Sequence, residues 1–339
     1  MITNHFKKIF LEKDVFNSIS GQDDVKQQLK SALLAGHNVV IIGPPGIGKT
    51  TLAKNIAKIL PIMTLNDCEF HCSPDNPVCP TCKNSKPNVV ELEGLKRFIR
   101  IQGSPDLTVE DLIGDIDPVK ALKYGPLSME AFTPGKIFKA NNGVLFFDEL
   151  NRCPEKLQNA LLQVLEERIA TIGSYEIDFP ANFLFIGTMN PEDSSTEKLS
   201  EVFLDRVDVI YMSHPKTLEQ EKEIIKSKKT NLDVEFSEAL LIQMLNFVRN
   251  FRSSKKLEKI PSVRASINLY ERSQSNAYLA GRNKVIFEDI QNAIISVLSH
   301  RISLKPSIKY LQDPMSFVKQ ELKEFMERNA TQSEEGEYP

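Results

Sequence analysis

The sequence predicts an α/β domain built on a parallel five-stranded sheet between helices, followed by a small all-helical domain. Three observations carry that prediction. Five apolar strand-like runs lie between residues 38 and 212, helical stretches separate them, and beyond residue 213 only amphipathic helical patterns remain. Strands that are apolar along their whole length suit a parallel sheet covered on both faces. A chain of 339 residues is also long enough for two domains.

The first helix is DDVKQQLKSALLAG, where Val25, Leu29, Ala32 and Leu33 share a face, Asp23 or Asp24 is the expected cap and Gly36 the stop. NVVII (38–42) runs straight into GPPGIGKT, and TLAKNIAKIL then resumes apolar spacing of helical period, which reads as strand, glycine-rich turn and helix. Further strands are expected at RFIRIQ (97–102), VLFFD (144–148), FLFIGT (183–188) and DVIYM (208–212). In PEKLQNALLQVLEER, Leu157, Leu161, Val164 and Leu165 fall on one face behind Pro154. His214, Pro215 and Thr217 mark a break, after which SEALLIQMLNFVRNF and FEDIQNAIISVLSH read as helices. The expected organisation is an α/β domain over 1–213 with a cysteine-rich insertion at 66–88, a helical domain over 214–326, and a disordered acidic tail over 327–339.

Composition narrows the function. Hydrophobic residues are 41% and charged residues 26%, and 42 Lys and Arg against 45 Asp and Glu leave a net charge of −3. No global basic field argues for nucleic acid or an anionic membrane. The N-terminus MITNHFKKIFLEKD is broken by lysines and acids, and no run approaches the ~18 apolar residues of a membrane span, so a cytoplasmic protein is expected.

In GPPGIGKT, Gly43, Gly46 and Gly48 allow a sharp turn that brings several N–H groups to a polyphosphate. Lys49 supplies a cation for the β and γ phosphates and Thr50 a hydroxyl for Mg²⁺, while Pro44, Pro45, Ile47 and Thr51 complete the stretch expected to touch ATP. A second element must hold the magnesium and prepare water. VLFFDE does so with Asp148 and Glu149 at the carboxyl end of a buried strand, where ligands of open α/β folds bind. Asp148 is the expected Mg²⁺ partner through water, and Glu149 the residue that orients and polarises the attacking water.

With those residues placed, the chain resembles the AAA+ superfamily from Ile19-Ser-Gly-Gln22 to about Ser303. RFIRIQGSPDLTVEDLIGDID and DELNRCPEKLQNALLQVLEER are similar to segments of MoxR-type ATPases, and FTPGKIFKANNGVLFFDE and GTMNPED to the ATPase subunit I of magnesium chelatase. The resemblance implies an AAA+ P-loop fold with a helical lid. It makes Asn190 the sensor 1 amide, Arg206 an arginine finger reaching a neighbouring subunit, Arg264 the sensor 2 arginine of the lid, and Gln22 part of the adenine pocket. Read without the resemblance, Asn190 is a turn cap and the two arginines are surface ion pairs of little energetic worth. For Arg152, an intersubunit contact and a salt bridge at a helix start are both open. An arginine supplied in trans contributes ~10³–10⁵ in rate to phosphoryl transfer, so a homo-oligomeric ring follows from the chemistry, and the resemblance implies a hexamer.

The chain departs from that pattern at CEFHCSPDNPVCPTC, where Cys68, Cys72, Cys79 and Cys82 crowd together. One tight cluster in a long chain reads as a metal site rather than a disulfide framework, and four thiolates close a tetrahedral structural Zn²⁺. His71 in place of one cysteine, a redox dithiol, an iron–sulfur cluster and four unpaired thiols are the alternatives. Cys153 reads as a buried small residue.

Three functions follow from the resemblance. A MoxR-like ATPase would remodel or activate a partner protein, for example one with a von Willebrand factor A domain; a chelatase motor would drive Mg²⁺ insertion into a tetrapyrrole; a helicase-like motor would translocate DNA. The segment before VLFFDE, where the resemblance places an inserted hairpin that would enter the pore, mixes Lys120, Lys123 and Lys136 with Asp115, Asp117 and Glu130, which disfavours a DNA track.

Overall fold

The computed structural model describes residues 2–12, 14–85, 87–126, 128–172, 177–191, 199–228 and 232–335. Contacts divide the chain into two units: one runs to Met212 without Pro44–Ile47, and the other combines Pro44–Ile47 with the chain from Ser213 onward.

The first unit is built on the strands β1 (Val39–Ile42), β2 (Phe98–Gln102), β3 (Val144–Asp148), β4 (Leu184–Met189) and β5 (Asp208–Tyr211). They form one sheet in the order β5-β1-β4-β3-β2, and every neighbouring pair is parallel. Val39 to Ile41 and Val144 to Phe147 are all buried, which is why these runs show no polar alternation. The helices α1 (Ile2–Glu12), α2 (Asp23–Ala35), α3 (Lys49–Lys58), α4 (Pro118–Tyr124) and α5 (Glu155–Glu167) belong to the same unit. Val25, Leu29, Ala32 and Leu33 of α2 and Leu157, Leu161, Val164 and Leu165 of α5 are the buried faces that the periodicity predicts. The cap of α2 differs from expectation. Gln22 is the N-cap with φ 59°, and Asp23 and Asp24 fall in the first turn, where their charge complements the helix dipole.

Three two-stranded pairs lie outside the sheet. Met63–Asn66 pairs with Val89–Leu92 and closes the base of the cysteine insertion. Gly114–Ile116 pairs with Phe132–Pro134 around α4, and Ile169–Ile172 pairs with Ile177–Pro180 after α5.

In the second unit α6 (Leu218–Lys228), α7 (Glu238–Ser253), α8 (Val263–Leu279), α9 (Phe287–Leu298) and α10 (Pro314–Glu335) surround a core of Leu245, Val248, Leu269, Ile294 and Val318. One short antiparallel ribbon, Leu257–Lys259 with Ser303–Leu304, interrupts the helices; two and three residues are too few to leave a strand signal in the sequence. The expected disordered tail is corrected over much of its length, because α10 runs through Glu335; residues 336–339 lie outside the described residues. Phe317, Val318 and Phe325 are buried and anchor α10, and the Glu, Arg and Ala residues that follow are good helix formers that let it continue.

The second unit is organised around a buried acid. Glu221 of α6 is fully buried and accepts hydrogen bonds from Arg252 Nη1 and Nη2, each at 2.7 Å, and from Ser266 Oγ at 2.5 Å. Burial by itself would raise its pKa, but the hydrogen bonds and charge of Arg252, with Ser266 and Arg249, hold it below the ordinary carboxylate value. The bidentate pair fixes α6 against α7. Removing one partner of such a pair leaves the other charge buried, so Glu221→Ala is expected to destabilise this unit by about 3–5 kcal/mol in urea unfolding.

His214, beside this network, has both ring nitrogens buried and without hydrogen-bond partners. Its pKa is lowered to about 4, first by burial and then by the charge of Arg252. A folded-state value below the unfolded one means that protonation opposes folding. Stability is therefore expected to fall between pH 6.5 and about pH 4, and His214→Phe should flatten that part of the pH–stability curve.

Candidate functional site

The turn after β1 has the backbone that its glycines permit. Gly46 and Gly48 sit at φ 79° and φ 104°, in the left-handed region that side chains disfavour. A Cβ on Gly46 would fall 2.6 Å from Cγ of Arg264, so these two residues lie against each other within the second unit. A Cβ on Gly48 would meet Ile19 Cδ1 at 3.1 Å, which places the segment leading to Gln22 beside the turn. α3 opens with Lys49, Thr50 and Thr51 and has no acid in its first turn, leaving its N-terminus favourable to an anion. Lys49 Nζ donates to Gly43 O at 2.5 Å, folded back over the turn.

At the carboxyl end of β3 the two carboxylates have separate partners. Asp148 accepts from Thr188 Oγ1 on β4 at 2.6 Å and from Arg100 Nη2 on β2 at 2.6 Å. Glu149 sits at φ 54°, its N–H donates to Thr188 Oγ1 at 3.0 Å, and its carboxylate accepts from Gln102 Nε2 at 2.8 Å and pairs with Arg152 Nη1 at 3.0 Å. Of the two readings of Arg152, the local ion pair is the one its geometry shows. Arg100 and Gln102 lie in RFIRIQGSPDLTVEDLIGDID and Thr188 in GTMNPED, but no role for them is read from the sequence; their signal is polar residues near the ends of apolar strands.

Asn190 directly follows β4, and its carbonyl accepts from Asn151 Nδ2 at 3.4 Å. Arg206 pairs with Glu166 at 2.9 Å and donates to Val202 O at 3.1 Å, so in the single chain it is engaged in an exposed ion pair. The structure thus gathers Asp148 and Glu149 with three neighbours on one sheet edge, and Gly46 with Arg264 in the second unit. The turn glycines, the cationic and hydroxyl residues at the start of α3 and the carboxylate pair at a parallel sheet edge are the donor set that Mg·ATP requires.

The four cysteines converge. The Sγ atoms of Cys68, Cys72, Cys79 and Cys82 all lie within 4.8 Å of one another, and His71 is not in the group. A tetrahedral zinc thiolate needs S···S separations of about 3.8 Å, so a small contraction closes the site. Backbone N–H groups already point at sulfur: Cys72 N to Cys68 Sγ at 3.3 Å, Val78 N and Cys79 N to Cys72 Sγ at 3.5 Å, and Cys82 N to Cys79 Sγ at 3.4 Å. Cys72 is held down to about 5, chiefly by the hydrogen bond from the Cys68 thiol, while burial pushes Cys79 up to about 12. Four adjacent thiols cannot all ionise unaided, and a dication removes that conflict. Cys153 is buried apart from them.

Comparison with known proteins identifies the family. A model of the ATPase family associated with various cellular activities matches residues 87–209, one of magnesium chelatase subunit ChlI matches 15–73, and one of the AAA lid domain matches 259–320. A magnesium-chelatase subunit ChlI homolog of Methanocaldococcus jannaschii is 30% identical, with 86% of each chain covered. The chain belongs to the AAA+ ATPases of the MoxR and magnesium-chelatase subunit I clade. The uncharacterized protein YeaC of Bacillus subtilis is 26% identical over 86% of this chain and 85% of its own. A subunit in the complex of BchI and BchD of magnesium chelatase, based on a single-particle cryo-EM reconstruction, shares the fold at a TM-score of 0.50 and 21% identity, covering 87% of this chain and 98% of that one. As an AAA+ ATPase the chain is an ATP hydrolase in the general sense, with ATP and Mg²⁺ implied, and among the described residues no helix is long and apolar enough to cross a membrane.

The packing of Gly46 against Arg264 has a direct consequence for this AAA+ site. Gly46→Val is expected to lower ATP affinity at least tenfold in a fluorescent-nucleotide titration, because it imposes a clash and a disfavoured φ together.

Proposed function

We propose that the chain is the motor subunit of a homo-oligomeric, six-membered and cytoplasmic ring that binds and hydrolyses Mg·ATP and uses the cycle to remodel or activate a partner protein. The observation that carries the motor assignment is the pair Asp148 and Glu149, each held separately by Thr188, Arg100, Gln102 and Arg152 at the end of β3.

In this reading, N–H groups of residues 46–51 together with the Lys49 ammonium hold the phosphates, and Thr50 and Asp148 hold the metal. Bound Mg²⁺ would neutralise phosphate charge. Glu149 orients the attacking water and takes up its proton, and Asn190 fixes the water or the γ-phosphate. Gln22 lies along the adenine. Arg264 acts as sensor 2, a role supported by its packing on Gly46. Arg206 leaves its exposed pair with Glu166 to enter a neighbour's site; an exposed pair costs little to break. A structural Zn²⁺ is held by Cys68, Cys72, Cys79 and Cys82.

A protein partner, such as one carrying a von Willebrand factor A domain, is supported by α4. None of its residues is buried, and Val119, Leu122 and Tyr124 are presented to solvent. The same helix, with Lys120 and Lys123 set between apolar side chains and Asp117 as its cap, is a poor track for DNA. The second reading, a chelatase motor acting on a tetrapyrrole-bearing subunit, is favoured by the names of the relatives.

Two measurements separate the roles. Lys49→Ala should lose ATP binding, while Glu149→Gln should bind ATP normally with turnover down at least 100-fold; equal steady-state rates for wild type and Glu149→Gln would remove Glu149 from the chemistry. Arg206→Ala should bind ATP yet fail to hydrolyse it, and mixing it with Lys49→Ala should restore part of the activity; no recovery in the mixture argues against action across an interface.

A further inference from the structure

The cysteine knuckle does more than fold its own loop. Its Phe70 ring lies 5.4 Å from Phe179 of the hairpin Ile169–Ile172/Ile177–Pro180 and 6.5 Å from Phe132 of the hairpin Gly114–Ile116/Phe132–Pro134, with Phe138 at 5.1 Å. Phe132 and Phe179 themselves stack at 6.4 Å. One aromatic side chain, placed two residues after Cys68 and two before Cys72, therefore joins two hairpins that have no strand partner in the main sheet.

Polar contacts fix the same junction. Phe70 O accepts from Asn141 Nδ2 and His71 O from Asn142 Nδ2, both at 3.1 Å. Asn141 Oδ1 also accepts from Asn182 N at 3.0 Å, just past the second hairpin. Asn84 Nδ2, in the knuckle's short helix Pro80–Asn84, donates to Glu130 Oε1 at 3.4 Å, just before Phe132.

An isolated two-stranded hairpin is marginal in water, so each of these depends on what it packs against. Beyond Phe70, Val78 and its cysteines the knuckle brings little apolar surface, and it depends in turn on whatever binds its four sulfurs. We propose that the metal-loaded knuckle is a brace whose ion sets the order of both hairpins, and with the first hairpin the presentation of α4, the surface assigned above to a protein partner. This rests on the reading of the cysteines as a metal site. Nucleotide binding is left intact, because none of these brace contacts involves residues 43–51, Asp148 or Glu149.

The test is hydrogen exchange on the assembled full-length protein, with metal content measured by mass spectrometry, before and after a zinc-selective chelator in excess Mg²⁺. Removal of about one Zn²⁺ per chain should raise exchange in 129–138 and 177–183 at least tenfold, leave 39–58 protected, and change affinity for a fluorescent ATP analogue less than twofold. Phe70→Ala, which keeps all four ligands, should retain the zinc and show the same loosened hairpins. Stoichiometric zinc whose removal leaves the hairpins protected overturns the brace while the metal site stands. Protein purified without zinc, or with iron, overturns the metal site and the brace together. Loss of protection throughout the chain on chelation overturns the brace as a local device.

Discussion

The register of three neighbouring strands is the constraint on which the proposed chemistry depends. Gln102 of β2 lies opposite Asp148 of β3, and Gly187 of β4 lies opposite Phe147, which brings Thr188 level with Asp148. A slip of one residue would turn Arg100, Gln102 and Asp148 to the other side of their strands and disperse the group. Burial of Val144, Leu145, Phe146 and Phe147 opposes such a slip, since each is fully enclosed where it stands. The apolar run before the two acids is thus part of the site, because it holds the carboxylates in register with their partners.

A second constraint is backbone conformation. Glu149 is held at φ 54°, which costs a residue with a side chain about 1–3 kcal/mol, and its N–H and carboxylate are both tied down. The N–H of Gly103 meanwhile donates to Asp148 O at 2.7 Å, and a Cβ on Gly103 would stand 2.1 Å from Glu149 O. The turn leaving β2 therefore runs so close under the acid pair that only glycine fits. Strain at Glu149 and closeness at Gly103 are two sides of one arrangement: the chain turns sharply at the sheet edge, and that turn points adjacent carboxylates to different partners.

Much of this was legible in the sequence, and the part that was not has a common cause. Strands, the glycine turn and the amphipathic faces of α2 and α5 are local patterns, and a window of a few residues reveals them. Arg100, Gln102 and Thr188 acquire meaning only when β2, β3 and β4 are aligned, which no local window contains. The four cysteines were visible as a cluster, but the packing of Phe70 between two hairpins spans more than 100 residues of chain and was not. Glu327 to Glu335 misled for another reason: their composition is that of a disordered tail, yet Phe317, Val318 and Phe325 anchor the helix that they extend. Gln22 at the N-cap of α2 likewise displaced the better intrinsic cap residues beside it.

The two ends of β3 carry different tasks, and its rigidity keeps them apart. Its carboxyl end presents Asp148 and Glu149; its amino end follows Asn141, Asn142 and Gly143, where the knuckle and the hairpins converge. Asn142 sits at φ 59°, and its carbonyl accepts from the fully buried Arg97, which also reaches Pro61 O at the base of the insertion. Burial lowers the pKa of Arg97, and the carbonyl oxygens that meet its guanidinium offset the cost of enclosing it. Five strand residues span about 17 Å, a short and fully packed connection. A strand paired with neighbours on both sides is held rigidly in place, whereas two-stranded hairpins are among the least stable parts of a fold. The hairpins packed at the amino end are therefore the part of this region most easily altered without disturbing the strands that hold the acids.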